Sequence, residues 1–171
     1  LTDGMQRGVN PRETARAIRE SIGLTDYDAS IVRNYRRALE AGDAHALTYA
    51  LRDARSDGVV EAAVKAKTRL PQKRIDALVA RYTQRRINAR AEAIARTETM
   101  RALSEAQEEA YAQAIESGQL DADRVQCEWI HGQRKNPRLH HQAMHRQKRR
   151  VGEPFRSGKG NLLRYPHDPN A

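Results

Sequence analysis

The sequence has one cysteine, one tryptophan and one phenylalanine, and aromatic residues fill only 5% of its 171 positions. A single cysteine excludes an internal disulfide framework and fits a reducing compartment, or no redox role at all. No apolar run approaches the roughly 20 residues that cross a bilayer, and no segment has the pattern of a signal peptide, so no membrane partner is expected. With few aromatics, the hydrophobic share of 39% rests on alanine, which packs helices closely and contributes little area per residue. That composition favours thin, elongated helical packing over a thick globule. The chain begins at Leu1 and stops after Ala171, and both ends are expected to be incomplete.

What is abundant is positive charge. The formal balance is +9, which suits an anionic partner. Residues 1–120 carry 20 Lys+Arg against 17 Asp+Glu, and residues 121–171 carry 11 against 5. The last segment is therefore the expected polyanion contact.

Residues 1–9 have no periodicity and read as an arm. Asn10-Pro11 predicts a capped helix through ETARAIRESIG, with Gly23 as a left-handed C-cap. A second helix is predicted from Asp28 or Ser30 to Gly42, and a third over about 43–54, broken by Ser56-Asp57-Gly58. From Lys73 to about Ser117 no glycine or proline intervenes. Ile75, Leu78, Val79 and Tyr82 begin a helical stripe, Ile87, Ala91, Ile94 and Ala95 continue it, and Leu103, Ala106, Ala110 and Ala114 finish it. Unbroken, such a helix spans roughly 65 Å; the alternative is a bend near Thr97-Thr99. Gly118 closes the segment.

Val125, Cys127 and Trp129 alternate with polar residues, a short strand signal. A turn at His131-Gly132, a short helix from Pro137 to about Gln147, a strand over Val151–Phe155, a turn at Ser157–Gly160 and an extended piece over Leu162–Pro166 complete the reading. The expected fold is mainly α with a small α+β C-terminal module: an N-terminal helical region (1–70), a long helical stem (71–120) and a small basic module (121–171).

Several pieces then stand in order. They are Ala95-Arg96-Thr97-Glu98-Thr99 within RAEAIARTETMRAL; Glu128-Trp129-Ile130; Arg138, His141, Ala143-Met144 and Gln147; Glu153-Pro154-Phe155; Gly158; and Tyr165-Pro166 with Asp168-Pro169-Asn170. In this order and spacing the chain resembles the head morphogenesis, or minor capsid, proteins of tailed phages typified by protein F of Mu-like phages. The matching patterns there read ARTE, K-x-W and R-x-x-H-x-x-M-D-G-Q. Where that last pattern has Asp-Gly, this chain has His145-Arg146, and His167 stands where a glycine follows Tyr-Pro. The resemblance implies a virion component in few copies, with the portal or major capsid protein as partner. It implies no established catalytic activity, no cofactor and no small-molecule substrate. It marks Arg96, Thr97, Glu98, Trp129, Arg138, His141, Gln147 and Phe155 as structural motif residues.

Two readings of Arg96 and Glu98 compete. Glu92 with Arg96 and Glu98 with Arg101 make ordinary helical pairs. Against that, Thr97 and Thr99 are poor helix formers, which points to a tertiary need. The preferred expectation is that Arg96 and Glu98 reach the C-terminal module and fix it to the stem. Trp129 is expected to anchor the module's core. Arg134, Lys135, Arg146, Lys148, Arg149 and Arg150 form either a solvated face or a sequence-independent contact with packaged double-stranded DNA through phosphates. The rivals to a capsid role are a general nucleic-acid-binding protein and a metal-dependent nuclease built on the histidines.

The stretch CEWIHGQRKNPRLHHQAMHRQ, residues 127–147, invites a metal reading. His141 and His145 lie four apart, which puts both on one helix face, but a closed tetrahedral site needs two further ligands from Cys127, His131, His140 and His167. Some proteins of the resembled family carry C-x-x-C where this chain has Arg138 and His141, with a terminal C-R-C completing a zinc site. Arginine cannot ligate, and the given chain stops before the second pair. No structural zinc is expected, and His141 is expected as a hydrogen-bonded histidine near Trp129.

Overall fold

A computed structural model of the chain describes residues 10–19, 21–132, 139–166 and 168. These form two compact units, 10–95 and 96–168, and the division falls inside the longest helix, whereas the composition shifts at 71 and 121.

In the first unit, α1 (Pro11–Ile18) starts as its sequence predicts. The Asn10 side chain accepts from the Arg12 amide, and Pro11 takes the first helical position, where a missing N–H costs nothing. The helix stops short of the predicted glycine, and Gly23 does not adopt the left-handed conformation. The amides of Ser21 and Ile22 and the Ser21 hydroxyl all bond the Ile18 carbonyl, so the end is satisfied earlier. Helix α2 (Asp26–Ala41) is capped by Thr25, whose hydroxyl accepts from the Asp28 amide, and ends at Gly42 with φ 65.

The helix expected over 43–54 does not form. Two 3₁₀ turns, Ala44–Thr48 and Ala54–Ser56, take its place, and α3 (Asp57–Lys65) begins within the expected breaker. Asp57 places negative charge at the free amides of the first turn and is itself held by Arg52 at 2.8 Å, so Ser-Asp-Gly acts as a start rather than a stop.

Helix α4 (Gln72–Glu116) is one uninterrupted helix of 45 residues. Its Ile75, Leu78, Val79 and Tyr82 pack with Tyr35, Leu39, Ala46, Val60 and Leu70 into the unit's core. Higher on the same face, Ala91 and Ala95 meet Ala15, with Ile18 and Ile22 alongside. Small residues allow that approach. Arg36–Asp76 (2.6 Å) and Arg86–Asp28 flank the core with ion pairs.

The second unit begins with the last turns of α4, closed by Gly118 (φ 73), whose amide bonds the Ile115 carbonyl while that of Gln119 bonds Ala114. Strands β1 (Gln126–Glu128) and β2 (Lys148–Arg150) pair antiparallel, Cys127 opposite Arg149. Helix α5 (Leu139–Gln142) lies between them in sequence. The strand predicted over Val151–Phe155 is corrected: β2 already ends at Arg150. The Glu153 carboxylate accepts from the Arg150 amide while the Glu153 amide bonds the Arg150 carbonyl, and Gly152 at φ 84 completes the turn. A second two-stranded sheet follows, β3 (Phe155–Arg156) with β4 (Leu162–Leu163). Trp129, Met144, Phe155 and Leu163 form the core, with Cys127 against it. The fold is thus mainly α with a small α+β C-terminal module. The predicted stripe fails in its last third: Leu103 is 61% exposed, and Ala106 and Ala110 are exposed too.

Candidate functional site

The motif residues of the module converge on Trp129. Its ring meets Phe155 at 5.2 Å and His141 at 6.1 Å, both edge-on, and Met144 and Leu163 beside it are fully buried. Its backbone extends the β1–β2 ladder, donating to the Gln147 carbonyl and accepting from the Arg146 amide, each at 2.9 Å. The Gln147 side chain acts as a short strand. Its amide nitrogen donates to the Arg156 carbonyl (2.9 Å) and to Ala143 (3.0 Å), and its oxygen accepts from the Arg156 amide (3.2 Å), so it ties the end of the α5 region to β3.

Two backbone positions are demanding. Arg146 has φ 68, a left-handed conformation that suits glycine. Gly158 donates to the His140 carbonyl at 2.9 Å, and a Cβ there would lie 3.1 Å from the His140 Cα and 3.2 Å from the Ala143 Cβ. The buried Asp168 carboxylate accepts from the Arg164 amide, holding the chain after β4.

Arg149 corrects the reading of the basic run. Within Lys148-Arg149-Arg150 the middle side chain points inward and is only 4% exposed. Its guanidinium donates to Glu108 of α4 (2.5 Å) and to the carbonyls of Arg164 and Arg150, and it covers the Phe155 ring at 4.6 Å. It is an internal anchor, not a phosphate contact. Arg146 (2.9 Å from Glu128) and Arg150 (2.9 Å from Asp123) are exposed but ion-paired, and Lys148 is exposed. Arg134, Lys135 and Arg138 lie outside the described residues, as do the arm at 1–9, His167 and Pro169-Asn170.

Among the described residues, Arg96 and Glu98 do not make the expected bridge to the module. Arg96 and Thr97 are exposed, and half-buried Glu98 only faces Arg101 one turn on, at 3.9 Å. The link between helix and module is made further along, by residues the sequence reading passed over. Glu108 takes Arg149, and Glu105 takes the hydroxyl of Tyr165. That hydrogen bond, with Arg101 and Arg164 nearby, holds the Glu105 carboxyl below its usual range. Burial first, and Glu105 second, push Tyr165 up. The sequence signal is slight: Glu105 and Glu108 are three apart, hence on one helix face.

A groove of about 480 Å³ runs along this seam, lined by Glu105, Glu108, Glu109, Val151, Arg164 and Tyr165. Its carboxylates at 105 and 108 are already engaged. Burial pushes the neighbouring Cys127 thiol up, which disfavours the nucleophilic thiolate. His145 Nδ1 accepts from the His131 amide at 3.2 Å, and His140 stacks edge-on with His141 at 4.6 Å. Among the described residues no group of three or more His, Cys, Asp or Glu side chains is placed to hold a metal ion. No family model matches the chain, and neither any curated protein nor any solved structure is found similar to it.

Proposed function

We propose that this chain is a structural minor head protein of a tailed phage, docking on the portal or the inner capsid surface during assembly and resident in the virion. The reading rests on the ordered pattern from Ala95 to Asn170. The observation that carries it is the fate of the pattern's glycines. Arg146 occupies the place of the glycine in M-D-G-Q, and among the described residues of that stretch it alone is left-handed. Gly158 stands where a Cβ would crowd the His140 Cα at 3.1 Å and the Ala143 Cβ at 3.2 Å. Both positions favour what the pattern supplies; local propensity marks a turn at Ser157–Gly160 but nothing at Arg146. Trp129, Met144, Phe155, Tyr165 and Gln147 likewise serve as the module's framework, while the Arg96-Thr97 part stays exposed, as a docking surface requires.

Mass spectrometry of purified heads or procapsids from the phage that encodes the chain should find it in few copies, together with portal protein. Particles that lack it entirely refute the proposal. A nuclease assay with and without chelator separates the metal-enzyme rival: chelator-sensitive cleavage would replace the assembly role with a catalytic one.

A further inference from the structure

Grouping the charges by folded unit reverses the sequence reading. Residues 10–95 carry 17 Lys+Arg against 11 Asp+Glu, and residues 96–171 carry 13 against 10, because the module shares its unit with the acidic end of α4. The positive excess belongs mainly to the helical unit. Part of it stands around Asp53, whose side chain is 3% exposed. Arg55 grips that carboxylate with two bonds (3.0 and 3.2 Å), Arg85 adds one at 3.0 Å, and Arg81 one at 3.4 Å. The second arm of Arg85 donates to the Arg52 carbonyl at 2.6 Å. Arg52 itself is neutralised by Asp57. Three guanidiniums therefore share one carboxylate, and Arg55, Arg81 and Arg85 remain 82%, 48% and 39% exposed above it.

One arginine would satisfy Asp53. Three leave a surplus of two positive charges, held together against their own repulsion. The carboxylate has about four lone-pair sites, and the four bonds to it fill them. The three guanidiniums carry roughly fifteen N–H donors, and the bonds described use fewer than half. Arg81 and Arg85 are four apart on α4, so both forks rise from one helix face. A buried anion that fixes planar forks at a solvent surface prepares them for bidentate bonding to a second, tetrahedral anion. We infer that Arg55, Arg81 and Arg85, positioned by Asp53, form a binding site for the backbone phosphates of nucleic acid. The site moves the DNA contact expected from the sequence from the module to the helical unit. It stands independently of the proposed head association, which is measured separately.

The test is fluorescence anisotropy of the full chain on two unrelated DNA duplexes across a salt series. It compares R81Q/R85Q, R81K/R85K, the single R81Q and the module variant K148Q/R150Q. The wild type should bind both duplexes alike. R81Q/R85Q should bind about tenfold more weakly, with the log–log salt slope reduced by about 2. R81K/R85K should also weaken, because lysine keeps the charge without the fork. R81Q leaves Asp53 two arginines and guards against unfolding; its circular dichroism should match wild type while its affinity falls. K148Q/R150Q should lose less than R81Q/R85Q. Wild-type affinity and slope in R81Q/R85Q overturn the inference, as does a loss confined to K148Q/R150Q. Wild-type binding by R81K/R85K reduces the site to diffuse charge and also overturns it. Inorganic phosphate that binds the full chain when neither duplex does would identify free phosphate as the ligand and overturn the nucleic-acid assignment.

Discussion

Replacing Arg149 with methionine tests the module's architecture most directly. Methionine keeps much of the stem that lies over Phe155 but deletes the guanidinium. What is lost is the bond to Glu108, two carbonyl bonds and the cation over the ring. What remains is a carboxylate only 20% exposed and a carbonyl at Arg164 deprived of that donor. Removing one partner of a buried pair costs about 3–5 kcal/mol, and because Glu108 retains some solvent the lower end applies, about 3 kcal/mol. Adding Glu108→Leu removes the stranded charge, so the double variant should recover about 2 kcal/mol of that loss.

Trp129 makes the measurement local. It is the only tryptophan and sits in the module's core, so its fluorescence reports the module, while far-ultraviolet circular dichroism follows the helices. In urea, R149M should move the tryptophan midpoint down strongly, with R149M/E108L between it and wild type. A tryptophan midpoint unmoved by R149M, or losses at 149 and 108 that simply add, would refute the buried anchor. The salt slope of DNA binding should not change in R149M.

Gly158→Ala should destabilise the module by about 1–3 kcal/mol through contact with the α5 backbone, whereas Arg146→Gly should stabilise it by about 1 kcal/mol on release of left-handed strain, both read from the same urea titration. Asp53, bonded by Arg55 against the opposing effect of burial, titrates at about 2 instead of 3.8. Its contribution is therefore complete above the ordinary value and lost as pH falls through it toward 2. An acid titration followed by circular dichroism should show this phase, and Asp53→Asn should abolish it. Tyr165 is raised from 10.0, so its contribution is complete below that value and lost as pH rises beyond it; Tyr165→Phe should flatten the alkaline change in Trp129 fluorescence. R96A/E98A should leave stability within about 0.5 kcal/mol of wild type while lowering incorporation into heads, measured by quantitative mass spectrometry of particles.

The helices were legible where periodicity and caps agreed. Asn10-Pro11, Gly42 and Gly118 mark ends that the structure keeps, and Ile75, Leu78, Val79 and Tyr82 face the core as their spacing demands. Residues 43–56 are not legible in the sequence because a 3₁₀ turn has no 3.6-residue signature, and because Asp at a helix start resembles a breaker. The module's core was legible through scarcity: a lone Trp129 and a lone Phe155 are the largest apolar surfaces available there, and they meet. Arg149 was not legible from charge. Only the alternation of β2, outward at 148 and 150 and inward at 149, reveals it, and its partner Glu108 lies 41 residues away.

The polar residues of the motif set divide by where their partners are. Gln147 completes backbone pairing within the module, and Asp168 pins the chain after β4; removing either breaks the unit from inside. Arg96 and Thr97 do nothing comparable. They stand exposed on a helix that is already continuous, beyond the small-residue contact at Ala91 and Ala95, and well before Glu105, where the module takes hold. Thr97 even lowers helix propensity there without a packing return. Among the described residues, the exposed Arg96 and Thr97 make no contact with the module. For the proposed docking role, Arg96 and Thr97 are the exposed motif residues offered to a capsid or portal surface, and R96A/E98A is the variant in which incorporation should fall while stability holds.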